Sequence, residues 1–341
     1  MKIKKEELQK ALEKVKPGLA NKEIIEQSTH FAFMGDRVVT YNDEISISCL
    51  VPNLDLVGAI SAQELYSFLS KSKDLEIDVA VTENEIRLNS GKSKVGLVLQ
   101  AEIKLPLHEL GEIEDWIALP ADFISGLSFC RFSCSRDMSR PILTCVHVSP
   151  TCMESSDNSR FTYKLLAKDS GISEFLIPGT SVADLCKYAV VEMATSKGWV
   201  HFRTADQAVT FSCRVFEDEY PNTTPILKME EDVTSIILPQ GLNDILDRAY
   251  IFAKGQFDVD TMITVTLVKQ KIKIAAKNNA GWFEEELAIR YKGDEIVFMI
   301  NPTFLAEMLG KTKTCQIGTK KIKFGNIDEE GWVHIIGLVV K

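Results

Sequence analysis

The sequence predicts an α+β protein built from six similar half-repeats, each one helix and about three or four strands. Three observations carry this. Amphipathic helical stretches recur at a nearly constant spacing. The segments between them alternate apolar and polar residues or run apolar, as strands do. At 341 residues the chain is too long for one ordinary core and suits two or three domains.

The repeat unit is an apolar stretch, a Pro or small polar residue, and then a helix with one apolar stripe that can pack on a sheet. Met1-Lys2-Ile3-Lys4 opens a helix reaching about Lys16, striped by Leu8, Leu12 and Val15. Val57-Gly58-Ala59-Ile60 precedes Ser61–Lys73, striped by Leu65, Phe68 and Leu69. Trp116–Pro120 precedes Ala121–Arg136, with Phe123, Ile124 and Leu127. Phe175-Leu176-Ile177-Pro178 precedes Gly179–Met193, with Val182, Leu185 and Ala189, and Thr180 or Ser181 to cap it. Ile236-Ile237-Leu238-Pro239 precedes Gln240–Lys254, with Leu242, Ile245 and Leu246. Phe298-Met299-Ile300 precedes Asn301–Lys313, with Phe304, Leu305 and Met308. There Asn301 can cap and Pro302, at the first helical position, loses no needed hydrogen bond. From Pro120 to Pro178 is 58 residues, on to Pro239 is 61, and on to Pro302 is 63. Val38–Tyr41, Ile45–Leu50, Thr264–Val268 and Lys271–Ile274 are among the intervening strands.

Composition excludes several classes. Hydrophobic residues make up 45% and charged residues 26%, as in soluble globular proteins. No apolar run reaches the roughly 18 to 20 residues of a membrane helix, so no membrane association is expected. Met1–Glu6 has no apolar core behind it, so no signal peptide is expected and the protein is placed in the cytoplasm. The eight cysteines, Cys49, Cys130, Cys134, Cys145, Cys152, Cys186, Cys213 and Cys315, form no C-x-x-C pair and match no zinc spacing. They read as reduced, mostly buried thiols, and no metal is expected. In that compartment the sequon Asn222-Thr223-Thr224 is a chance match.

The net charge is −9, but its distribution is uneven. The six helical windows hold 15 Lys and Arg against 10 Asp and Glu, a balance of +5, which leaves −14 for the rest. Lys71, Lys73, Arg131, Arg136, Lys187, Arg248, Lys254, Lys311 and Lys313 fall in or near the C-terminal halves of these windows. Helices sharing one face would attract phosphate there while the outside repelled it. The helix dipole alone accounts for part of this pattern, since cations suit a C-terminus.

No catalytic constellation emerges. Gly91-Lys92-Ser93 ends like a phosphate loop, but Ile86 stands where that loop needs Gly. G-x-S-x-G, H-E-x-x-H and G-x-G-x-x-G are absent. His30, His108, His147, His201 and His334 are isolated from one another, and Glu217-Asp218-Glu219 reads as a solvated loop. No catalytic residue and no cofactor are expected.

Several segments resemble the bacterial sliding clamp family, the beta subunit of DNA polymerase III. Ser135-Arg136-Asp137-Met138-Ser139-Arg140-Pro141-Ile142-Leu143 is similar to the family's stretch between the first helix and following strand of domain two. Ser155-Ser156-Asp157-Asn158-Ser159-Arg160-Phe161 resembles its T-D-G-H-R-L turn, and Glu219-Tyr220-Pro221-Asn222 its G-R-F-P-D segment. Leu246-Asp247-Arg248-Ala249 and Phe298–Leu305 resemble parts of the two helices of domain three. The order and spacing of these segments, more than any one of them, carry the likeness over nearly the whole chain. The sequence departs from the family in its shorter length, in Asn158-Ser159 where Gly-His is usual, and in the ending Ile335–Lys341 where Met-Pro-Met-Arg-Leu is usual. A divergent, virus-encoded member fits these departures.

The resemblance implies three clamp domains at 1–115, 116–229 and 230–341, each of two βαβββ-like half-repeats, and a head-to-tail homodimer closing into a ring around duplex DNA. It implies a processivity factor that tethers a DNA polymerase and is opened by a clamp loader, both docking through short peptide motifs. DNA contacts are expected at Lys22, Lys71, Lys73, Arg131, Arg136, Lys187, Arg248, Lys254, Lys311 and Lys313. A peptide pocket is expected from Leu143, Ser156, Asn158, Arg160 and Phe161 on one side. Its other side would be Pro221, Ile226, Asn301, Phe304, Ile335, Ile336, Leu338 and Val339, with Arg160 and Asn301 fixing the peptide backbone. The dimer interface is expected at Ile251 and Phe252 facing Leu97 and Leu99. Two other readings stand beside this one: a clamp-like adaptor that binds proteins without encircling DNA, and an α+β enzyme whose site the sequence does not display.

Overall fold

The alternation in Ile45-Ser46-Ile47-Ser48-Cys49-Leu50 becomes a strand, but not a half-exposed one. Ser46 is buried with its neighbours, and its hydroxyl donates to the Thr40 carbonyl across the hairpin. A polar residue on both-sides-buried strand survives because its donor is satisfied locally. The structure, a computed structural model, describes residues 2–166, 170–229, 232–255 and 261–339. Its contacts group the chain into two units, Met1–Ser128 with Asp169–Glu217, and Phe129–Lys168 with Asp218–Lys341.

In the first unit one sheet runs Leu56–Ser61, His30–Gly35, Arg37–Tyr41, Ile45–Leu50, Val209–Arg214, Trp199–Thr204, Val190–Ser196 and Ile117–Ala118. Its centre pairs Ile47 with Phe211, antiparallel, so early and late parts of the chain share one ladder. A second sheet has Lys2–Lys4, Glu76–Val81, Glu85–Ser90 and Ser93–Val98, the last at an edge. Helices Lys5–Val15 and Ala62–Lys71 lie side by side: the Tyr66 hydroxyl donates to Glu13 at 3.0 Å, and the Lys16 ammonium sits 4.7 Å from the Tyr66 ring centroid.

The second unit repeats this plan. One sheet runs Cys145–Val148, Cys152–Ser156, Arg160–Leu165, Trp332–Gly337, Lys321–Phe324, Thr314–Ile317 and Thr234–Ile237. Its central seam pairs Phe161 with Ile335. The other sheet has Gly281–Ala288 at an edge, then Lys271–Asn278, Ile263–Val268 and Ile296–Ile300. Helices Leu242–Ala253 and Pro302–Leu309 bury Leu242, Ile245, Leu246, Leu305 and Met308 in the shared core. The Asn301 side chain accepts from the Thr303 amide, which is the expected cap.

All six expected helices form, and all are shorter than their windows. The first begins at Lys5 because Lys2–Lys4 pairs as a strand with Glu76–Asp78. The third spans Phe123–Arg131. The fourth stops at Leu185, where tight turns close on Asp184 and Leu185, and the β-branched Val190-Val191 enters a strand. This changes the charge account. The six helices proper hold six Lys and Arg against eight Asp and Glu, so they are slightly acidic. Nine of the fifteen cations counted by sequence lie just outside the helices, seven of them beyond C-terminal ends.

Two buried histidines bear on stability. His201 lies between the hydroxyls of Ser196 and Ser212, at 2.9 and 2.8 Å, and burial lowers its pKa to about 4. His334 meets the Thr162 hydroxyl at 2.8 Å, and burial, with Arg160 and Lys311 nearby, lowers it to about 3. An unfolded imidazole titrates near about 6.5, so the unfolded chain takes up these protons first as pH falls. Stability should therefore be full above about pH 6.5 and decline from there toward pH 4, by about 2 kcal/mol for His201 at pH 5. Thermal midpoints of His201→Gln measured across this window should fall less steeply than those of the unaltered protein. Parallel curves would show that His201 contributes nothing to the slope.

Candidate functional site

In the second unit a cavity of about 400 Å³ is lined by Arg140, Ile142, Leu143, Ser156, Asn158, Tyr220, Pro221, Asn222, Thr223 and Ile226. Three segments build it. The Pro141–Thr144 turn carries Ile142 and Leu143. The hairpin between Cys152–Ser156 and Arg160–Leu165 carries Ser156 and Asn158. The stretch 220–226, entering a short helix at Thr224, supplies the opposite wall. At the hairpin tip Asn158 takes φ of +70°, a left-handed conformation that Asn tolerates better than most residues. The Asp157 carboxylate accepts from the Ser159 and Arg160 amides at 3.0 and 2.9 Å, which fixes the turn without glycine. The result is a mainly apolar hollow with polar groups at its mouth, suited to an aliphatic or aromatic anchor of a short peptide.

Five residues expected in the pocket, Leu143, Ser156, Asn158, Pro221 and Ile226, line this cavity. The other eight do not. Phe161 and Ile335 are buried with Val333 in a small core on which Ile226 and Leu227 pack. Ile336 and Leu338 fill the main core, while Val339 is exposed and bridges to Met299 through its backbone. The two groups expected to hold a peptide backbone are engaged within the fold. Asn301 caps its helix. Arg160 donates from Nε to Asp157 at 2.9 Å, pairs with Glu307, and stacks 4.0 Å from the Phe304 ring centroid. Phe304 is thereby covered by a guanidinium. Sequence reasoning missed Arg140, Ile142, Tyr220, Asn222 and Thr223 as lining residues. Four of them stand inside the segments that carried the family resemblance, and Thr223 directly follows one.

All ten expected DNA-contacting cations are exposed. Within the first unit the Tyr188 hydroxyl donates to the Lys14 carbonyl, which sets the ends of two helices beside each other, with Lys187 next in sequence. Lys187 itself pairs with Asp184 at 2.6 Å. Lys71 ends its helix, Lys73 follows it, and Lys22 lies in the loop after the first helix. Within the second unit the Lys311 ammonium, just past helix Pro302–Leu309, lies 4.7 Å from the Phe129 ring centroid. Arg248 is held by Glu285 through three hydrogen bonds of 2.8, 2.9 and 3.1 Å. Arg136, Lys254 and Lys313 lie past helix ends.

The expected interface residues divide. Ile251 is 65% exposed and Phe252 is half-buried, stacked on Phe283 at 6.4 Å between centroids. Leu97 is half-buried on the edge strand. Leu99 is only 4% exposed: its side chain fills the space beside Gly58, where a Cβ would come within 2.7 Å of it. The apolar residue that this edge offers outward is Val98, 73% exposed, with Val57 and Met34 also open. The expectation for Leu99 is therefore corrected: just past the strand, with its amide donating to the Asn84 carbonyl, it packs against Gly58.

Among the described residues no group of His, Cys, Asp and Glu could hold a metal ion, and no helix is long and apolar enough to cross a membrane. No family model matches the chain. It is similar over its full length to solved bacterial sliding clamps. The Bacillus subtilis DNA polymerase sliding clamp superposes with a TM-score of 0.86 at 19% identity, covering 100% of this chain and 98% of that one. The beta subunit of DNA polymerase of Streptococcus pyogenes does so with 0.85 at 22%, covering 100% and 99%. The beta sliding clamp of Lactococcus lactis is 23% identical over 98% of this chain and 97% of its own length. The chain thus has the α+β fold of the bacterial sliding clamps.

The contrast between Leu99 and Ile251 is directly testable. Leu99→Asp places a carboxylate in the core of the first unit and should cost several kcal/mol, on the order of 3. Ile251→Asp changes an exposed position and should alter stability by no more than about 0.5 kcal/mol. Urea unfolding at concentrations low enough to keep chains apart gives both values. Equal losses would contradict the placement of Leu99.

Proposed function

We propose that this protein is a DNA sliding clamp, a processivity factor that holds a polymerase on its template by encircling duplex DNA, without catalysing a reaction. The observation that carries the reading is the clamp fold over the full length, joined by a distant sequence relative, a beta sliding clamp, matched over nearly all of both chains. The likeness to the clamps implies three domains, at 1–115, 116–229 and 230–341, and the sixfold repeat of helices is consistent with two half-repeats in each.

Two unpaired edges support a head-to-tail dimer. Ser93–Val98 is an edge strand flanked by Lys92 and containing Lys94. Gly281–Ala288 is an edge strand containing Glu284, Glu285 and Glu286, with Ile251 and Trp282 exposed nearby. Edges of this kind invite pairing unless they are covered. Joining the first unit of one chain to the second unit of its partner covers both, and repetition of the contact closes a ring.

The cations at helix ends would meet phosphates. Such contacts carry no base information, so the ring can slide. Duplex DNA is the first partner. A polymerase and a clamp loader are the others, each presenting a short peptide to the cavity beside Leu143 and Ile226. The tether raises the polymerase's effective concentration at the primer end. Such a protein would work in the cytoplasm.

In solution the mass should be twice 38.1 kDa. The dimer, loaded on nicked circular DNA, should remain bound and be lost when the circle is cut. Neutralising Lys22, Lys71, Lys73, Arg131 and Lys187 together should weaken retention and flatten its salt dependence, by about 0.9 in log–log slope for each phosphate contact removed. Ile142→Asp should abolish binding of a peptide with aliphatic and aromatic anchors and leave the dimer intact. A protein that stays monomeric at micromolar concentration, or that binds one DNA sequence tightly, would sink this reading.

A further inference from the structure

Behind the cavity lies a polar network that peptide binding as described does not use. Glu154, in the middle of strand Cys152–Ser156, is 6% exposed. A carboxylate in a sheet interior is costly unless both oxygens are satisfied. Here both are. His147 stands directly opposite on the neighbouring strand, with Nδ1 2.8 Å from Glu154 Oε1. The Thr223 hydroxyl donates to Glu154 Oε2. The Tyr220 ring stacks on the His147 ring, 4.9 Å between centroids and 22° from parallel. Tyr220 and Thr223 line the cavity, whereas Glu154 and His147 do not.

One buried pair therefore holds two residues of a cavity wall. The far end of the same wall is fixed by different means: Ile226 and Leu227 pack on Phe161, Val333 and Ile335, and Lys321 donates to the Ile226 carbonyl at 2.9 Å. Between these anchors Pro221 and Asn222 stand exposed at the cavity mouth. Fold stability alone gives no reason for an acid at this point, because an apolar residue in a buried strand does as well or better. A directional bond from sheet to loop does give a reason. It fixes the loop's distance from the sheet, which is the width of the cavity.

We propose that Glu154 is a positioning residue for the peptide site: oriented by His147, it tethers the 220–223 segment through Thr223 and so holds the cavity open to a ligand. This rests on the reading of the cavity as a peptide site. The ligand is a short peptide whose apolar anchor enters between Leu143 and Ile226, and a pre-formed wall spares it the cost of ordering the loop.

The test uses the full-length dimer and a synthetic peptide with leucine and phenylalanine anchors. Glu154→Leu removes the acceptor while keeping an apolar side chain in the strand, and should weaken the peptide about tenfold or more. Glu154→Gln keeps an oxygen for Thr223 and should restore affinity to within about twofold, a rescue that mere packing would not produce. Thr223→Val should weaken binding in the unaltered protein and add nothing further in the Glu154→Leu background, since the two residues act through one bond. The solution mass of each variant shows that it is folded and dimeric. Unchanged affinity in Glu154→Leu, no rescue by Glu154→Gln, or additive losses would each overturn the inference while leaving the peptide site in place. An unaltered protein that binds no peptide would overturn the reading of the cavity itself, and the role of Glu154 with it.

Discussion

Two antiparallel seams carry the architecture. Ile45–Leu50 pairs with Val209–Arg214 in one unit, and Arg160–Leu165 pairs with Trp332–Gly337 in the other. Each joins strands far apart in sequence, so the loop-closure cost must be met before any ladder bond forms. Apolar pairs alternate with polar ones along each seam: Ile47 faces Phe211 between Ser46–Ser212 and Ser48–Thr210 in the first, and Phe161 faces Ile335 beside Thr162–His334 in the second. Nearly every feature of functional interest leans on one of them. The cavity's Ser156, Asn158 and Ile226 stand on or against the second seam, and the edge strands occupy the smaller sheets that flank these ladders.

The helices were legible in the sequence because their apolar stripes follow a local period that needs no knowledge of the fold. Asn301-Pro302 shows this best, since cap and first-turn residue announce themselves. Helix ends were less legible. Lys2–Lys4 and Val190–Met193 fall inside the expected helical windows, yet each pairs as a strand with a partner elsewhere in the chain. The same limit governs the cavity. Leu143, Ser156 and Ile226 could be placed by resemblance, whereas Thr223 gains its role only from a carboxylate 69 residues away. Leu99 was misplaced for a simpler reason. At the end of an edge strand the difference between inward and outward is one residue: Val98 closes the strand facing out, and Leu99 follows it packed inward.

The corrected charge account bears on how the protein would hold a polyanion. The helix bodies are slightly acidic, and the cations cluster past their C-terminal ends, where the dipole favours them. Several already have protein partners, as Lys187 has Asp184 and Arg248 has Glu285. Exposed pairs of this kind contribute little, about 0 to 1 kcal/mol, so trading a carboxylate for a phosphate and back is nearly free. A surface of weak, exchangeable contacts suits movement along a duplex better than a few strong ones.

The two open edges have a further consequence. An interface formed between different faces of identical chains has no built-in stop: it either returns to its starting point or goes on adding copies. Which outcome occurs depends on the angle each contact imposes and not on its strength. Gly281, at φ of +159° and with Phe252 3.4 Å from its missing Cβ, lies where the Gly281–Ala288 edge begins. A side chain there would bear on Phe252 and tilt the start of the strand. In a dimer joined through this edge, a tilt of that kind would change the angle of the contact, and an assembly that closes at one angle extends as a fibre at another.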